Sequence, residues 1–154
     1  MAGLGLCVAI SSAEILHVPS DYPAIQSALN AVAANDTVLV EIGEYAEALI
    51  APPLRFYLLG NVIPDTGDYP RPVVDGSLLP DSLRDACLTL PVGSDAVVED
   101  VTFRNRFAMP PLVEVGGVNC LADFATFRRC TFDSLLYGIK PPDHNAPVIV
   151  AENC

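Results

Sequence analysis

The feature that most constrains the fold of this chain is an internal repeat of short, strand-like segments. Residues 97–103 (VVEDVTF) align with residues 126–132 (TFRRCTF) at a spacing of 126 − 97 = 29. Residues 126–130 align in turn with residues 150–154 (VAENC) at a spacing of 150 − 126 = 24. Short strands without intervening helices are typical of a sandwich, a barrel or a β-solenoid. A repeat of this length favours a parallel β-helix whose coils stack about 4.8 Å apart.

Short apolar segments bounded by Gly and Pro fill the chain from residue 36 onward, and they predict about five coils over residues 36–154. The predicted strands are 37–40, 49–50, 55–61, 73–74, 86–90, 96–103, 112–115, 124–132 and 148–151. Tyr45 and Glu47 alternate after Gly43, and Glu47 is expected to bind backbone groups near the first turn rather than to catalyse a reaction. The predicted fold class is therefore all-β.

One amphipathic helix is predicted before these strands, within an N-terminal cap over residues 14–35. Ile25, Ala28, Leu29 and Val32 recur at helical spacing and form one apolar face. Ser20 or Asp21 is the expected N-terminal capping residue, because short polar side chains accept hydrogen bonds from the first N–H groups of a helix. Asn35 is the expected left-handed residue after the helix.

Residues 1–13 are interpreted as the remnant of a secretion signal. An apolar stretch over residues 4–10 precedes small residues at positions 11–13, where cleavage would fall. The alternative is a buried first strand. The predicted location is therefore secreted or cell-surface, in a bacterial periplasm or outside the cell. Loss of Cys7 with the signal would leave four cysteines in a compartment that permits disulfides.

Charge and hydropathy exclude two classes of partner. Eight Lys and Arg against nineteen Asp and Glu give a net charge of −11, so a nucleic-acid ligand is not expected, since phosphate binding needs a basic patch. Apolar runs are short and broken by Gly or Pro, so no membrane-spanning helix is predicted.

The stretch HVPSDYPAIQSALNAVAANDTVLVEIGEYAEALI, which begins at His17, resembles the N-terminal cap and first coil of the pectin-lyase-like superfamily. The matching elements are a Val-Pro and Tyr-Pro entry, an Ile-Gln helix, an Asp-Thr-Val strand and Gly-x-Tyr-x-Glu, with Asn35 where Gly is usual. In motif the chain is closest to pectinesterase-like repeat proteins. The resemblance implies a right-handed, single-stranded parallel β-helix. Because the sequence stops in mid-repeat without a terminal cap, the chain is expected to be truncated C-terminally, with the missing coils of the same chain as its partner.

Two functions follow from this resemblance. The first is an exported solenoid that binds a polysaccharide or another surface. The alternative is the N-terminal part of a carbohydrate-active enzyme, an esterase, lyase or hydrolase, whose catalytic coils would lie beyond Cys154. No catalytic residue is assigned, because the family's catalytic motifs have no counterpart in this sequence.

The repeat alignment also predicts which side chains share a column. One inward column holds Val98, Phe127 and Ala151, and a second holds Val101, Cys130 and Cys154. Asp100, Arg129 and Asn153 are expected to point outward or to occupy a turn, beside Glu99, Arg128 and Glu152. Acid, base and acid on neighbouring coils favour a structural ion-pair ladder. The alternative is an arginine patch that binds sugar carboxylates, made of Arg104, Arg106, Arg128 and Arg129.

Three further sets of residues are assigned structural roles, each with an alternative. Cys130 and Cys154 are expected to stack as apolar thiols, with a disulfide as the alternative. Asp65, Asp68 and Asp75 are assigned to a solvated loop; Ca²⁺ binding is the alternative, although no calcium motif supports it. His144 follows Asp143 in a Pro-rich loop, where an acid–base role is less favoured than a plain loop. No metal site or other cofactor is predicted.

Overall fold

The computed structural model of the chain describes residues 12–63, 69–80, 85–105, 116–135, 137–141 and 148–154. Strands β1 to β14 are numbered in chain order. They are Ile15–Val18, Thr37–Val40, Glu44–Tyr45, Leu49–Ile50, Arg55–Gly60, Val73–Asp75, Ala86–Leu90, Asp95–Glu99, Thr102–Arg104, Gly116–Cys120, Phe124–Arg128, Thr131–Asp133, Tyr137–Lys140 and Val148–Glu152. One α-helix, α1, covers Ile25–Ala31, and a short 3₁₀ helix covers Gly76–Leu78.

The strands form three parallel sheets, each built from successive turns of the chain. Sheet A has the order β1-β2-β5-β8-β11-β14. Sheet B has the order β12-β9-β6-β3, and sheet C has the order β13-β10-β7-β4. Successive coils each place one strand in every sheet, which is the arrangement of a parallel β-helix-like solenoid. The all-β prediction is confirmed at this level.

The predicted repeat register is confirmed where the structure describes it. Val97 pairs with Thr126, and Thr126 pairs with Val150. Thr102 pairs with Thr131 in sheet B at the same 29-residue spacing. Because strand side chains alternate between the two faces of a sheet, this register fixes which columns are buried.

Stacked inward side chains from all three sheets form one core. Sheet A contributes a column of fully or almost fully buried residues, namely Leu16, Val38, Leu58, Val98 and Phe127. Sheet B contributes Phe103, whose ring stacks on that of Phe132 with 5.7 Å between centroids. A continuous apolar stack of this kind gives each coil the burial that it cannot reach alone.

Two segments predicted as single strands are each broken by a left-handed residue. Asp100 has φ of 56° and separates β8 from β9, while Arg129 has φ of 51° and separates β11 from β12. Asn153 occupies the same column, also with φ of 56°. The predictions of strands 96–103 and 124–132 were therefore wrong in extent, whereas the alternative that Asp100 and Arg129 occupy a turn is confirmed.

The helix lies where it was predicted, but its N-terminus is held differently. The predicted apolar face is confirmed, since Ile25, Ala28 and Leu29 are buried. Helix α1 begins after Ala24, so the assignment of Ser20 or Asp21 as the cap was wrong. Asp21 instead accepts a hydrogen bond from the backbone N–H of His17 at 3.1 Å.

Glu47 caps helix α1 from the first coil. Its two carboxylate oxygens accept hydrogen bonds from the backbone N–H groups of Ile25 at 2.9 Å and Gln26 at 2.8 Å. The Gln26 side-chain amide in turn donates to the carbonyl of Ile50 at 3.0 Å and accepts from its N–H at 2.7 Å. Glu47 thus satisfies backbone groups, as its place in Gly-x-Tyr-x-Glu predicted, and Gln26 pairs with edge strand β4.

The turn after the helix is fixed by one buried carboxylate. Asp36 accepts hydrogen bonds from the N–H of Glu14 at 2.8 Å and of Ala33 at 2.7 Å. Asn35 has φ of 72°, which confirms the predicted left-handed residue. These contacts join β1, the end of α1 and the start of β2.

The cysteine column is partly as predicted. The four described cysteines are free, and Cys130 is buried. Burial raises the pKa of the Cys130 thiol to about 12 and that of Cys87 to about 11, so both behave as small apolar residues. Ala151 pairs with Phe127, so it keeps its predicted place in the inward column. Ala151 and Cys154 are nevertheless exposed, because no described strand stacks on β14, so the expected burial of the Cys154 thiol was wrong.

Several predictions fall outside the described residues. They concern Cys7, Asp65, Asp68, Arg106, Asp143, His144 and the predicted strand 112–115. In the part of the chain that is described, no helix combines the length and the apolar character needed to cross a membrane.

Candidate functional site

The three predicted arginines that the structure describes belong to three groups of charged side chains. Arg128 ends β11, Arg129 forms the bend after it, and Arg104 ends β9 in sheet B. Each guanidinium is surrounded by carboxylates from neighbouring coils. Arg106 lies outside the described residues, so its place beside the other three arginines stays a prediction.

A ladder of alternating charge runs across the C-terminal ends of three neighbouring strands of sheet A, namely β8, β11 and β14. Arg128 contacts Glu99 on one side and Glu152 on the other, each at 3.0 Å. The hydrogen bonds to Glu99 and Glu152 are the main cause that raises the pKa of Arg128 above its usual value. Acid, base and acid follow one another as the repeat alignment predicted.

A second, more buried group, the bend cluster, comprises Asp100, Arg129, Tyr69 and Arg71. Arg129 donates from Nε at 2.9 Å and from Nη2 at 2.6 Å to the two oxygens of Asp100. The Tyr69 hydroxyl donates to Asp100 at 2.9 Å, and Arg71 lies 3.8 Å from the same carboxylate. The left-handed backbone at Asp100 turns this side chain into the bend, where it is only 8% exposed.

These contacts shift the pKa of Asp100. Burial alone would raise it, but the hydrogen bonds from Arg129 and Tyr69 and the charges of Arg129 and Arg71 outweigh burial and lower the pKa. Asp100 is therefore ionised throughout the neutral range. The Arg71 guanidinium also covers the ring of Tyr69, 4.7 Å from its centroid.

The third group, the Arg104 cluster, occupies the outer face of sheet B and comprises Glu44, Asp75, Arg104 and Asp133. Asp75, Arg104 and Asp133 are paired directly across β6, β9 and β12, so they form one column. Arg104 lies 3.1 Å from Asp133, 3.2 Å from Glu44 and 3.6 Å from Asp75. Partial burial lowers the pKa of Arg104, but the hydrogen bonds to Asp133 and Glu44 raise it by more.

The assignment of Asp75 to a solvated loop was wrong. Asp75 ends strand β6, is 5% exposed, and accepts hydrogen bonds from the N–H and hydroxyl of Ser77. Its contacts are thus with a 3₁₀ turn and with Arg104. In the described part of the chain, no group of three or more His, Cys, Asp or Glu side chains is arranged to hold a metal ion.

An open groove of about 590 Å³, the axial groove, runs over the end of sheet A beside the bend cluster. Its lining is apolar on the early coils and charged on the later ones, and consists of Leu39, Leu59, Gly60, Val62, Tyr69, Glu99, Asp100 and Arg129. Leu39, Leu59 and Glu99 are paired across consecutive strands. The groove therefore follows the stacking direction over four strands, about 14 Å at about 4.8 Å per strand.

Sequence reasoning found the arginines but missed most of their surroundings. The 29-residue spacing, applied to Arg104, leads to Asp75 (104 − 29 = 75) and to Asp133 (104 + 29 = 133). This column could therefore have been predicted from the sequence. Tyr69 and Arg71 belong to a segment with no counterpart in other coils. No repeat signal could have brought them to Asp100.

Comparisons were made with known protein families, with curated proteins and with solved structures. The chain matches no family, and neither of the other two searches finds a similar protein.

Proposed function

We propose that this chain is a polysaccharide-binding solenoid and that the axial groove is its binding surface. The observation that carries the proposal is an open groove aligned with the coil stack, about 590 Å³ in volume. Its size falls within the range of small-ligand sites, roughly 300–1,000 Å³. A groove open along the stack suits a linear polymer, because the chain can extend beyond the contacts that hold it.

The chemistry of the groove also suits sugars. Leu39 and Leu59 offer apolar surface to the C–H faces of a sugar ring, and Tyr69 adds an aromatic side chain with a polar end. Glu99 and Asp100 supply oxygens that accept hydrogen bonds from hydroxyl groups. Apolar walls with a few fixed polar groups are the usual composition of such sites.

The finer assignments of fold and location belong to the same proposal. The entry motif that begins at His17 supports membership of the pectin-lyase-like superfamily, with the right-handed coil of that superfamily. Right-handed crossovers between parallel strands are also strongly preferred by L-amino-acid chains. The apolar segment within residues 1–13 supports export to the periplasm or the cell surface, where polysaccharides are present.

A carbohydrate-active enzyme is the second candidate, and the Arg104 cluster is the observation that favours it. Two carboxylates, Asp75 and Asp133, flank Arg104 in one column of sheet B. Paired carboxylates are the groups that acid–base chemistry on a polysaccharide needs. Release of methanol or unsaturated uronides from pectin by the wild-type chain, and its loss in Asp133→Asn, would support this candidate; no turnover would reject it.

The binding proposal is tested by affinity electrophoresis in gels that contain hydroxyethylcellulose, xyloglucan, galactomannan or pectin. We expect the chain to be retarded in at least one of these gels. Tyr69→Ala should restore free mobility, since it removes the aromatic lining of the groove. Absence of retardation in all four gels would contradict the proposal.

Tyr57→Ala is the matched control. Tyr57 is a partly exposed tyrosine on the outer face of the same sheet, in β5, outside the groove lining. We expect this variant to bind as the wild type does. Equal losses in Tyr57→Ala and Tyr69→Ala, with unfolding midpoints unchanged, would show that the groove is not the binding surface.

A further inference from the structure

We infer that the axial groove selects neutral polysaccharides and discriminates against acidic ones. The inference rests on the proposed binding function and specifies its ligand class. It departs from the expectation of an arginine patch for sugar carboxylates, and the reason lies in how the arginines are already paired.

Arg129 is the one arginine among the described residues that line the groove, and it is paired with the protein's own carboxylates. It makes a two-pronged contact with Asp100, at 2.9 and 2.6 Å, and its Nη2 also lies 2.8 Å from Glu99. A bidentate arginine–carboxylate pair is a strong, directional contact. Because these contacts occupy Nε and Nη2, a uronate could bind Arg129 in the same two-pronged way only by displacing one of these carboxylates, and that of Asp100 is only 8% exposed.

The neighbouring described arginines also lie beside carboxylates of the protein, Arg128 through hydrogen bonds and Arg71 through charge, since the Arg71 Nε has no hydrogen-bond partner. Arg128 lies 3.0 Å from both Glu99 and Glu152. Arg71 lies 3.8 Å from Asp100 and is 19% exposed, with its guanidinium against the ring of Tyr69. Each described arginine next to the groove therefore has a carboxylate of the protein within 4 Å.

The described charges around the groove give no net positive charge that could attract a polyanion. Among the described residues around the groove, three arginines face three carboxylates, namely Glu99, Asp100 and Glu152, so the charges of these six side chains sum to zero. The chain as a whole carries −11. Like-charge repulsion from the whole molecule therefore acts on an acidic polymer without a local attraction to offset it.

A neutral polymer meets no such penalty. Its hydroxyl groups can donate to carboxylate lone pairs that the arginines leave open, since an ionised carboxylate offers about four acceptor positions. Its ring faces can pack on Leu39, Leu59 and Val62. Both contacts leave the arginine pairs intact.

The test compares polymers that share a backbone and differ in charge. The pairs are hydroxyethylcellulose with carboxymethylcellulose, and fully methyl-esterified with de-esterified polygalacturonan, titrated calorimetrically into the 154-residue chain. For the backbone that binds, we expect the neutral member to bind about tenfold tighter or more at low salt, a difference of about 1.4 kcal/mol. The difference in affinity between the two polymers should decrease as added salt screens the repulsion.

Two variants separate local from global charge. Glu99→Gln leaves Arg128 and Arg129 with one carboxylate fewer, and we expect it to reduce the neutral-to-acidic ratio at least twofold. Glu14→Gln changes the net charge equally, from −11 to −10, at an exposed residue just before β1. It should leave the ratio of neutral to acidic affinity unchanged. Equal effects of the two variants would overturn the local argument.

The remaining outcomes are also decisive. Equal or tighter binding of the acidic member, weakening as salt is added, would overturn this inference and leave the binding function standing. Binding of neither member of either pair, together with no retardation in the four gels, would overturn the proposed function and the inference with it.

Discussion

Asp100 is the residue at which three chain segments meet, since it binds Arg129 from the next coil and Tyr69 and Arg71 from the preceding one. Its lowered pKa links this junction to pH. A carboxylate with a depressed folded-state pKa stabilises the fold above its unfolded-state pKa, which is about 3.9 for Asp. That contribution is lost as the pH falls through the lower folded-state value.

We therefore expect Asp100→Asn to destabilise the chain at pH 7 by about 1.5–3 kcal/mol, the usual contribution of hydrogen bonds to a charged group. The variant should also lose stability less steeply than the wild type when the pH falls below about 4. Urea unfolding followed by circular dichroism from pH 2.5 to 7 measures both effects. Asn is compatible with the bend itself, because Asn153 holds the equivalent position with φ of 56°. A parallel pH dependence in the two proteins would refute the assignment.

Glu47 is a second residue whose role can be isolated. Because both of its oxygens accept hydrogen bonds from the start of α1, Glu47→Gln keeps one acceptor and Glu47→Ala keeps none. We expect Glu47→Ala to lower the free energy of unfolding by about 1–2 kcal/mol, as loss of a helix cap does, and Glu47→Gln to fall between it and the wild type. Glu14→Gln, at an exposed carboxylate, serves as the control in the same urea titrations. Identical stabilities of all four proteins would show that the cap contributes nothing.

At the scale of elements, neighbouring coils pack closely where Gly60 of β5 passes the bend at Asp100. A Cβ added to Gly60 would lie 2.1 Å from the carbonyl oxygen of Asp100, a backbone atom that cannot move aside without shifting the bend. At Gly116 of β10 the nearest atom would be 3.5 Å away, an ordinary contact.

Gly60→Ala should therefore destabilise the chain by about 1–3 kcal/mol, the typical effect of overpacking, while Gly116→Ala should cost clearly less. Thermal unfolding of the two variants side by side gives the comparison. If Gly116→Ala were the more harmful, the close approach of β5 to the bend would be called into question.

The same scale shows what the sequence could and could not predict. The register of β8, β9, β11 and β12 followed from one repeat, because those strands keep a constant 29-residue spacing. Earlier strands depart from it: Thr37 pairs with Tyr57, 20 residues on, and Arg55 pairs with Asp95, 40 residues on. Turns of different length absorb these differences, so a fixed period cannot find the coils.

Sheet C was the least predictable for a related reason. Strands β10 (GGVNC) and β13 (YGIK) contain Gly and show no clear alternation, so neither was predicted. Gly117 is required there by packing, since a Cβ would come within 2.7 Å of a carbonyl on the next coil.

Of the candidate sites, the arginines and their ladder were foreseen, while the groove depends on side chains such as Tyr69 that only the folded chain brings together.

For the whole molecule, the stacked sheets leave a row of backbone groups unpaired at β14, which pairs with β11 on one side only among the described strands. Val148 and Val150 are exposed on this strand, at 55% and 39%. An exposed apolar edge of this kind is a site for pairing with another chain.

We expect the 154-residue chain to self-associate through β14, with a scattering mass that rises with concentration. Val150→Lys should reduce the association, since a charge on an edge strand opposes pairing. Val92→Lys, at an exposed valine in the turn before β8, is the control and should not reduce it. A monodisperse monomer at every concentration would contradict the prediction.

The cap carries a consequence for how the polypeptide folds as it is synthesised. Glu47 binds the start of α1, and Gln26 binds Ile50, so these closing contacts involve nothing beyond residue 50. A nascent chain can thus complete a seed soon after this segment leaves the ribosome, since such contacts close only short loops. Because each coil contacts only its neighbours, later coils can then add to those already formed, so the contacts of the cap are compatible with assembly in the direction of translation.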